Sequence, residues 1–467
     1  MEDSVQASGW WSVIREALRG SRQDFTQGSI PRAIVLLAVP MVLEMALESV
    51  FAVTDVFFVG RLGPDAVATV GLTESMLAVI YAIDAGLAVG AAATVARRIG
   101  EHDTEGASRA AGQAVLLGLT ATLVIALCGA FAGPHLLAAM GASPSVIATG
   151  SGFTRVMLGG SGTILMLFLF NSIFRGAGDA AIAMRVLWLA NSINILFGPC
   201  LIFGLGPFPR LGVTGAAIAT TIGRGTGALF ALSRMVRPGG RIHIERRHLR
   251  FAPDIMGRML RLSGSAAFQT FIGTASWVGI VRIMARFGSE ALAGYTIGFR
   301  VIIFALLPSW GVSNAAATMV GQALGSRQPD RAAKAVWLAG WYDCVVLTIV
   351  GAAFVLFAPQ IVGAFTADPV VLATGTRCLR VVAAGFPFYA YGMVVTQSFN
   401  GAGDTWTPTL INVGVFWVWE IPLAWVLAIN FGLGPTGVFV AMTVAFSTLA
   451  LVSAFLFRRG RWKTKIV

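Results

Sequence analysis

Three carboxylates, Glu44, Glu48 and Asp55, stand inside one apolar run covering residues 34–59. A charged side chain at the centre of a membrane helix costs about 2.5–3.5 kcal/mol on insertion scales. Three ionised groups facing hydrocarbon would cost on the order of 8–10 kcal/mol, so they must face something else. At about 100° per residue, Glu48 projects roughly 40° from Glu44, and Asp55 roughly 20°. All three therefore occupy one stripe of one helix. A shared stripe predicts a shared cavity, where crowded carboxyls can exchange protons or hold cations. The same residues would also suit a paired structural network, with Arg224 or Arg300 as partners.

Other polar groups interrupt apolar runs. Asn191, Asn194 and Gly198 follow i, i+3, i+7 spacing just before Pro199. Amides at membrane depth need partners, either a carboxylate, a ligand or another helix. Thr220 and Thr221 are weaker signals, since threonine often bonds back to its own helix. Glu420 precedes Pro422, Asp343 lies in a run of its own, and Glu74 and Asp84 share another. Pro40 interrupts the first run before the acidic stripe, where it permits a kink. The cavity residues expected for a substrate are Glu420, Gln269 and Asn191.

Enzyme chemistry and cofactors find no footing. His102, His135, His243 and His248 lie in or near loops, and no HExxH, GxSxG or GxxxxGK[ST] motif occurs. Without a phosphate-binding loop, an ion gradient is the expected energy source, with H+ or Na+ as a transported ion. Cys128, Cys200, Cys344 and Cys378 form no CxxC pair and read as small buried hydrophobes.

The elements that position these groups follow from composition. Only 12% of the 467 residues are charged and 56% are hydrophobic, against about 25% charged in a soluble domain. Runs of about 20 apolar residues, long enough to cross the hydrocarbon core, recur throughout. Twelve fit the length, so the reading is an all-α integral membrane protein. The net charge of +12 could suggest nucleic acid, but its placement argues otherwise. Of 34 Lys and Arg, 25 fall on one set of alternate loops, 7 on the other, and Arg224 and Arg300 within spans. That bias predicts both termini in the cytoplasm. No cleavable leader is read in the polar, basic start of the chain.

The chain also repeats. GRLGPDAVA near Arg61 matches ARFGSEALA near Arg286, and FRGAGD ending at Asp179 matches FNGAGD ending at Asp404, both 225 residues apart. Two six-helix bundles related by pseudo-symmetry result, oriented alike, with a substrate site expected at their interface. The expected layout is an arm over 1–32, a first lobe over 33–236 and a linker over 237–254. A second lobe over 255–457 and a basic tail over 458–467 complete it.

PMVLEMALESVFAVTDVFFVGRLG resembles the first-span signature of the multidrug and toxic compound extrusion (MATE) family. So do AVGAAATVARRIG, SIFRGAGD, and NILFGPCLIFG with LGVTGAAIAT. The balance of motifs is most similar to the DinF-like branch. The resemblance implies a V-shaped twelve-helix antiporter that exports organic cations from a bacterial cytoplasmic membrane as a monomer. It further implies that Asp55 is the coupling carboxylate, with Asn194 and Thr220 beside it. The family's aspartate before the span-five proline is Gly198 here, and Glu44 or Glu48 is the candidate replacement. Gln269 stands where other branches carry an acid. A lipid-linked precursor flippase of the same superfamily is the alternative.

Overall fold

The computed structural model describes residues 9–21 and 23–465, without the side chains of residues 56, 64, 128 and 130–132. Part of the N-terminal arm including Arg22, the last two tail residues and the Cys128 side chain thus lie outside the described set. Among the described residues there is no strand. A short helix, α1 (Trp10–Arg19), precedes the first lobe. That lobe comprises α2 (Ile30–Gly60), α3 (Pro64–Gly100), α4 (Thr104–Ala139), α5 (Pro144–Gly159), α6 (Ser161–Ala177), α7 (Ala180–Phe203) and α8 (Val213–Val236). The second comprises α9 (Pro253–Met284), α10 (Ser289–Gly325), α11 (Pro329–Gly363), α12 (Pro369–Ala383), α13 (Phe386–Gly401), α14 (Trp406–Asn430) and α15 (Pro435–Arg458).

Nine described stretches are long and apolar enough to cross a membrane, α5 and α6 together making one. α12 and α13, bent by 59°, make a tenth. α8 and α9 complete twelve crossings; Arg224 and Thr220 in α8, and Arg258, Arg261 and Gln269 in α9, dilute their apolar character. The two broken crossings are counterparts. Each breaks at a glycine, Gly160 or Gly385, that packs against a threonine of its lobe's last helix, Thr221 or Thr443.

The repeat shifts register in the last two helices. Leu211 and Gly212 bond back to the carbonyls of Leu201 and Ile202; Leu433 and Gly434 do the same to Leu427 and Ala428. From Asp404 to Leu427 is therefore one residue more than from Asp179 to Leu201. That extra residue coincides with a wide helical turn: Val413–Glu420 and Val426–Asn430 wind as π-helix. One inserted residue is what a π-turn accommodates.

The lobes meet at the end where the basic loops gather. A Cβ at Gly100 of α3 would strike the Gln322 backbone of α10, and one at Gly325 the Arg97 carbonyl. Gly86 and Gly90 sit as tightly on Ser263 of α9, and Gly311 on the Met41–Val42 backbone, within 2.6 Å of a Cβ. Gln322 donates to the Gly176 carbonyl at 3.0 Å and Thr318 to that of Arg175 at 3.1 Å. Toward the other end, Gly71 and Gly273 would meet nothing within 4 Å. Val50, Val53, Phe57, Val67, Phe271 and Val278 are exposed there. The molecule is closed at one end and open at the other.

Two accessory pieces dress the closed end. α1 buries Val13 and Ala17 and exposes Trp10 and Trp11, as a helix lying in the membrane interface does. It is fastened by an Arg32–Glu16 ion pair at 2.6 Å and by Arg185, which donates to the carbonyls of Leu18 and Arg19. The linker between lobes is strapped to α4. Gln113 donates to the carbonyls of His248 and Arg250 and accepts from the Ala252 amide.

Candidate functional site

The acidic stripe of α2 faces α6, α7 and α8. Glu44 is fully buried. Its Oε1 accepts from Arg175 Nη1 at 2.9 Å and Asn171 Nδ2 at 3.1 Å, one turn apart on α6. One turn on, Glu48 Oε1 accepts from Arg224 Nη2 at 2.9 Å and Oε2 from Asn191 Nδ2 at 3.0 Å. Arg224, itself buried, lies 5.3 Å from the Phe51 ring and 5.0 Å from the Phe168 ring. Its Nε and Nη1 have no hydrogen-bond partner among the described residues.

The three stripe residues thus have different lives. Glu44 and Glu48 are held in ion pairs, Glu44 sealed from solvent. Of the two arginines anticipated as partners, Arg224 serves Glu48, whereas no ion pair reaches Arg300 among the described residues. Arg175, counted with the basic loops from sequence, turns inward with its side chain 12% exposed. Asp55 is half-buried, and no hydrogen bond or ion pair reaches it among the described residues. Its electrostatic neighbours are Arg224 and Glu74, and Glu74 is exposed at the open end. Asp84, buried on α3 with Oδ1 unpartnered among the described residues, feels both Arg224 and Arg175. The first lobe therefore sets Glu44, Glu48, Asp55, Glu74 and Asp84 against two guanidiniums.

Asn194 and Thr220 do meet: the amide donates to the Thr220 hydroxyl at 2.7 Å. Thr221 instead bonds back to the Ala217 carbonyl. A Cβ at Gly198 would meet only Asn194 Oδ1, at 3.9 Å, so this position has room for a carboxyl.

The three residues expected in a substrate cavity are not brought together. Asn191 is engaged by Glu48. Gln269 lies half-buried on α9 with Oε1 unpartnered among the described residues. Glu420 is buried in the second lobe, where it acts on Tyr389 and Tyr295. Its neighbour Ile421 packs on Gly279, ten residues and about 15 Å along α9 from Gln269. Asp343 is buried on α11, beside Ser309 of α10. By the repeat, Gln269 and Asn400 stand where Glu44 and Arg175 form their pair. A charged contact in one lobe is replaced by two amides in the other. Asn400 instead continues a chain through Gln397 to Asn314, each bond 3.0 Å, along a small cleft at the closed seam.

Sequence reasoning missed Arg175, Asn171 and this amide chain. The i, i+4 spacing of Asn171 and Arg175 was the available signal, but their place beside the FRGAGD turn disguised it.

The MatE family profile matches residues 40–200 and again 265–426, the same signature once in each lobe. The chain belongs to the MatE family. Its members are transporters, not enzymes. A probable multidrug resistance protein NorM from Thermotoga maritima is 24% identical over 94% of both chains. Another from Caulobacter vibrioides is 28% identical over 92% of this chain and 90% of its own. Among solved structures, one described as an outward-facing conformation of a multidrug resistance MATE family transporter superposes with a TM-score of 0.88. It is 27% identical and covers 94% of this chain and 97% of its own. As a MatE protein, this chain has twelve helices in two pseudo-symmetric bundles, and the open and closed ends are those of a carrier.

Proposed function

We propose that this protein is an antiporter that exports small organic cations in exchange for H+ or Na+ across a bacterial cytoplasmic membrane. Both termini then face the cytoplasm, and the structure corresponds to the outward-open state. One observation carries the reading: among the described residues, Asp55 is the stripe carboxylate without an ion pair, beside exposed Glu74 at the open end. Unpaired carboxyls in a vestibule attract cations, whether the coupling ion or the cargo. Asp55 takes up an ion from outside as cargo leaves, and gives it up inward as new cargo binds. Asn194 and Thr220 line the same lobe as candidate ligands for that ion. Glu48 and Glu44 keep the two arginines neutralised, so that the free carboxyls set the sign of the chamber. A lipid-linked precursor flippase needs a cationic chamber for pyrophosphate, and five carboxyls against two guanidiniums argue against it.

Dye efflux from vesicles under an imposed pH or sodium gradient tests this. Gradient-driven efflux that collapses at least about tenfold in Asp55→Asn is expected. Wild-type rates in that variant would overturn the assignment, and the gradient that drives efflux names the ion.

A further inference from the structure

We propose that the groove between α14 and α15 binds an anionic phospholipid from the surrounding bilayer, one acyl chain along its length and the phosphate at Arg459 and Arg461. The groove arises where the lobes differ. In the first lobe, α7 and α8 pack closely because Gly223 and Gly227 face Ala190 and Val186; a Cβ at Gly227 would lie 2.9 Å from that of Ala190. The register set by Gly215 and Gly437, and by Thr221 and Thr443, makes Ala445 and Leu449 the counterparts of those glycines. They meet Ile411 and Val415, counterparts of Val186 and Ala190, in a small apolar cluster of their own. Larger side chains on both helices, together with the π-turn of α14, hold the pair apart.

The resulting groove spans about 1120 Å³ of space, part of it open to the surroundings. Leu410, Val415 and Trp419 form one wall, Val452 and Leu456 the other, and a Cβ at Gly414 would meet nothing within 4 Å. It opens sideways, beside Leu410 at 65% exposure. From Thr407 to Trp419 it runs about 18 Å along the helix, close to the roughly 15 Å hydrocarbon depth of one leaflet. Charge sits at one end only. Arg461 is exposed, and no hydrogen bond or ion pair reaches its guanidinium among the described residues; Arg459 lies over the Phe455 ring at 4.5 Å. Asp404 lies there too, but Lys465 at 3.2 Å and the Thr407 hydroxyl at 2.7 Å already engage it. An apolar channel one leaflet deep, ending in two arginines at headgroup level, fits a phospholipid of net negative charge.

The purified full chain in detergent, titrated with phosphatidylglycerol or phosphatidylethanolamine of equal chain length, tests this by native mass spectrometry. One phosphatidylglycerol should be retained at a roughly tenfold lower concentration than phosphatidylethanolamine. Arg459→Gln with Arg461→Gln should abolish the preference. Arg234→Gln with Arg237→Gln, at the matching end of α8 where glycines close the helix pair, should leave it intact. Gly414→Trp, which fills the floor, should release the lipid. Equal retention of both lipids by the native chain would overturn the proposal. So would a preference that survives the first pair of substitutions or is lost with the second, or lipid still held by Gly414→Trp. None of these outcomes depends on Asp55 or on the coupling ion.

Discussion

Arg224 is the most exacting residue of the interior. It is buried, feels Glu48, Glu74 and Tyr81, and uses one terminal nitrogen for its ion pair. Removing one partner from a buried pair leaves a lone charge, which costs about 3–5 kcal/mol. Glu48→Gln is therefore expected to lower thermal stability by that order, read from the unfolding temperature of purified protein. Glu48→Gln with Arg224→Gln should recover most of it, because no charge is stranded. If Glu48 served only as an ion ligand, the single variant would unfold at the native temperature. The acidic stripe itself was legible in the sequence, since helical periodicity alone aligns Glu44, Glu48 and Asp55. Of their partners, Arg224 was anticipated and Arg175 was not. Arg175 and Arg224 lie more than a hundred residues away, and which carboxyl each would claim depends on how α6 and α8 pack on α2.

At the scale of elements, the helices followed from apolar length and the repeat from spaced motifs, but the π-turn in α14 did not. Its one extra residue is visible only when backbone bonds fix where Leu201 and Leu427 correspond. Deleting Val418 is thus expected to let α14 regain α-helical register with folding retained, because a π-turn is relieved by losing one residue. Deleting Leu189 of α7, which has no such slack, should abolish monodisperse protein in size-exclusion chromatography. The linker strap also carries a pH dependence. His248 bonds Glu105 at 2.8 Å and holds its carboxyl below the usual range. A lowered carboxyl favours the folded strap above the ordinary value of 4.5, and the contribution fades as pH falls through the lowered one. Hydrogen exchange of residues 241–250 should accelerate at pH 3.5–4 (an assay range of about half a unit) more in native protein than in Glu105→Gln.

For the whole molecule, composition and the alternation of basic loops set the class and the number of crossings, while the conformational state was beyond reach of sequence. Glycines explain why. Gly100 and Gly325 permit two long helices to touch backbone to backbone, and that contact exists only while the molecule is closed at this end. A larger side chain at Gly100 overpacks the seam by about 1–3 kcal/mol, a shift of roughly fivefold or more between the two states. Gly100→Val is expected to cut efflux by about that factor without loss of expression. Labelling of a cysteine placed at Thr318 should rise in the same variant as the seam parts.

Rocking needs a pivot, and Gln113 says where it lies. Its amide grips the chain at 248, 250 and 252, so the tether stays with the first lobe up to the residue before α9 begins. The slack between the halves is then a single peptide link rather than a leash of more than a dozen residues. Nicking the backbone upstream, within 237–247, would leave that fulcrum intact, and the two fragments would be expected to work on as one machine.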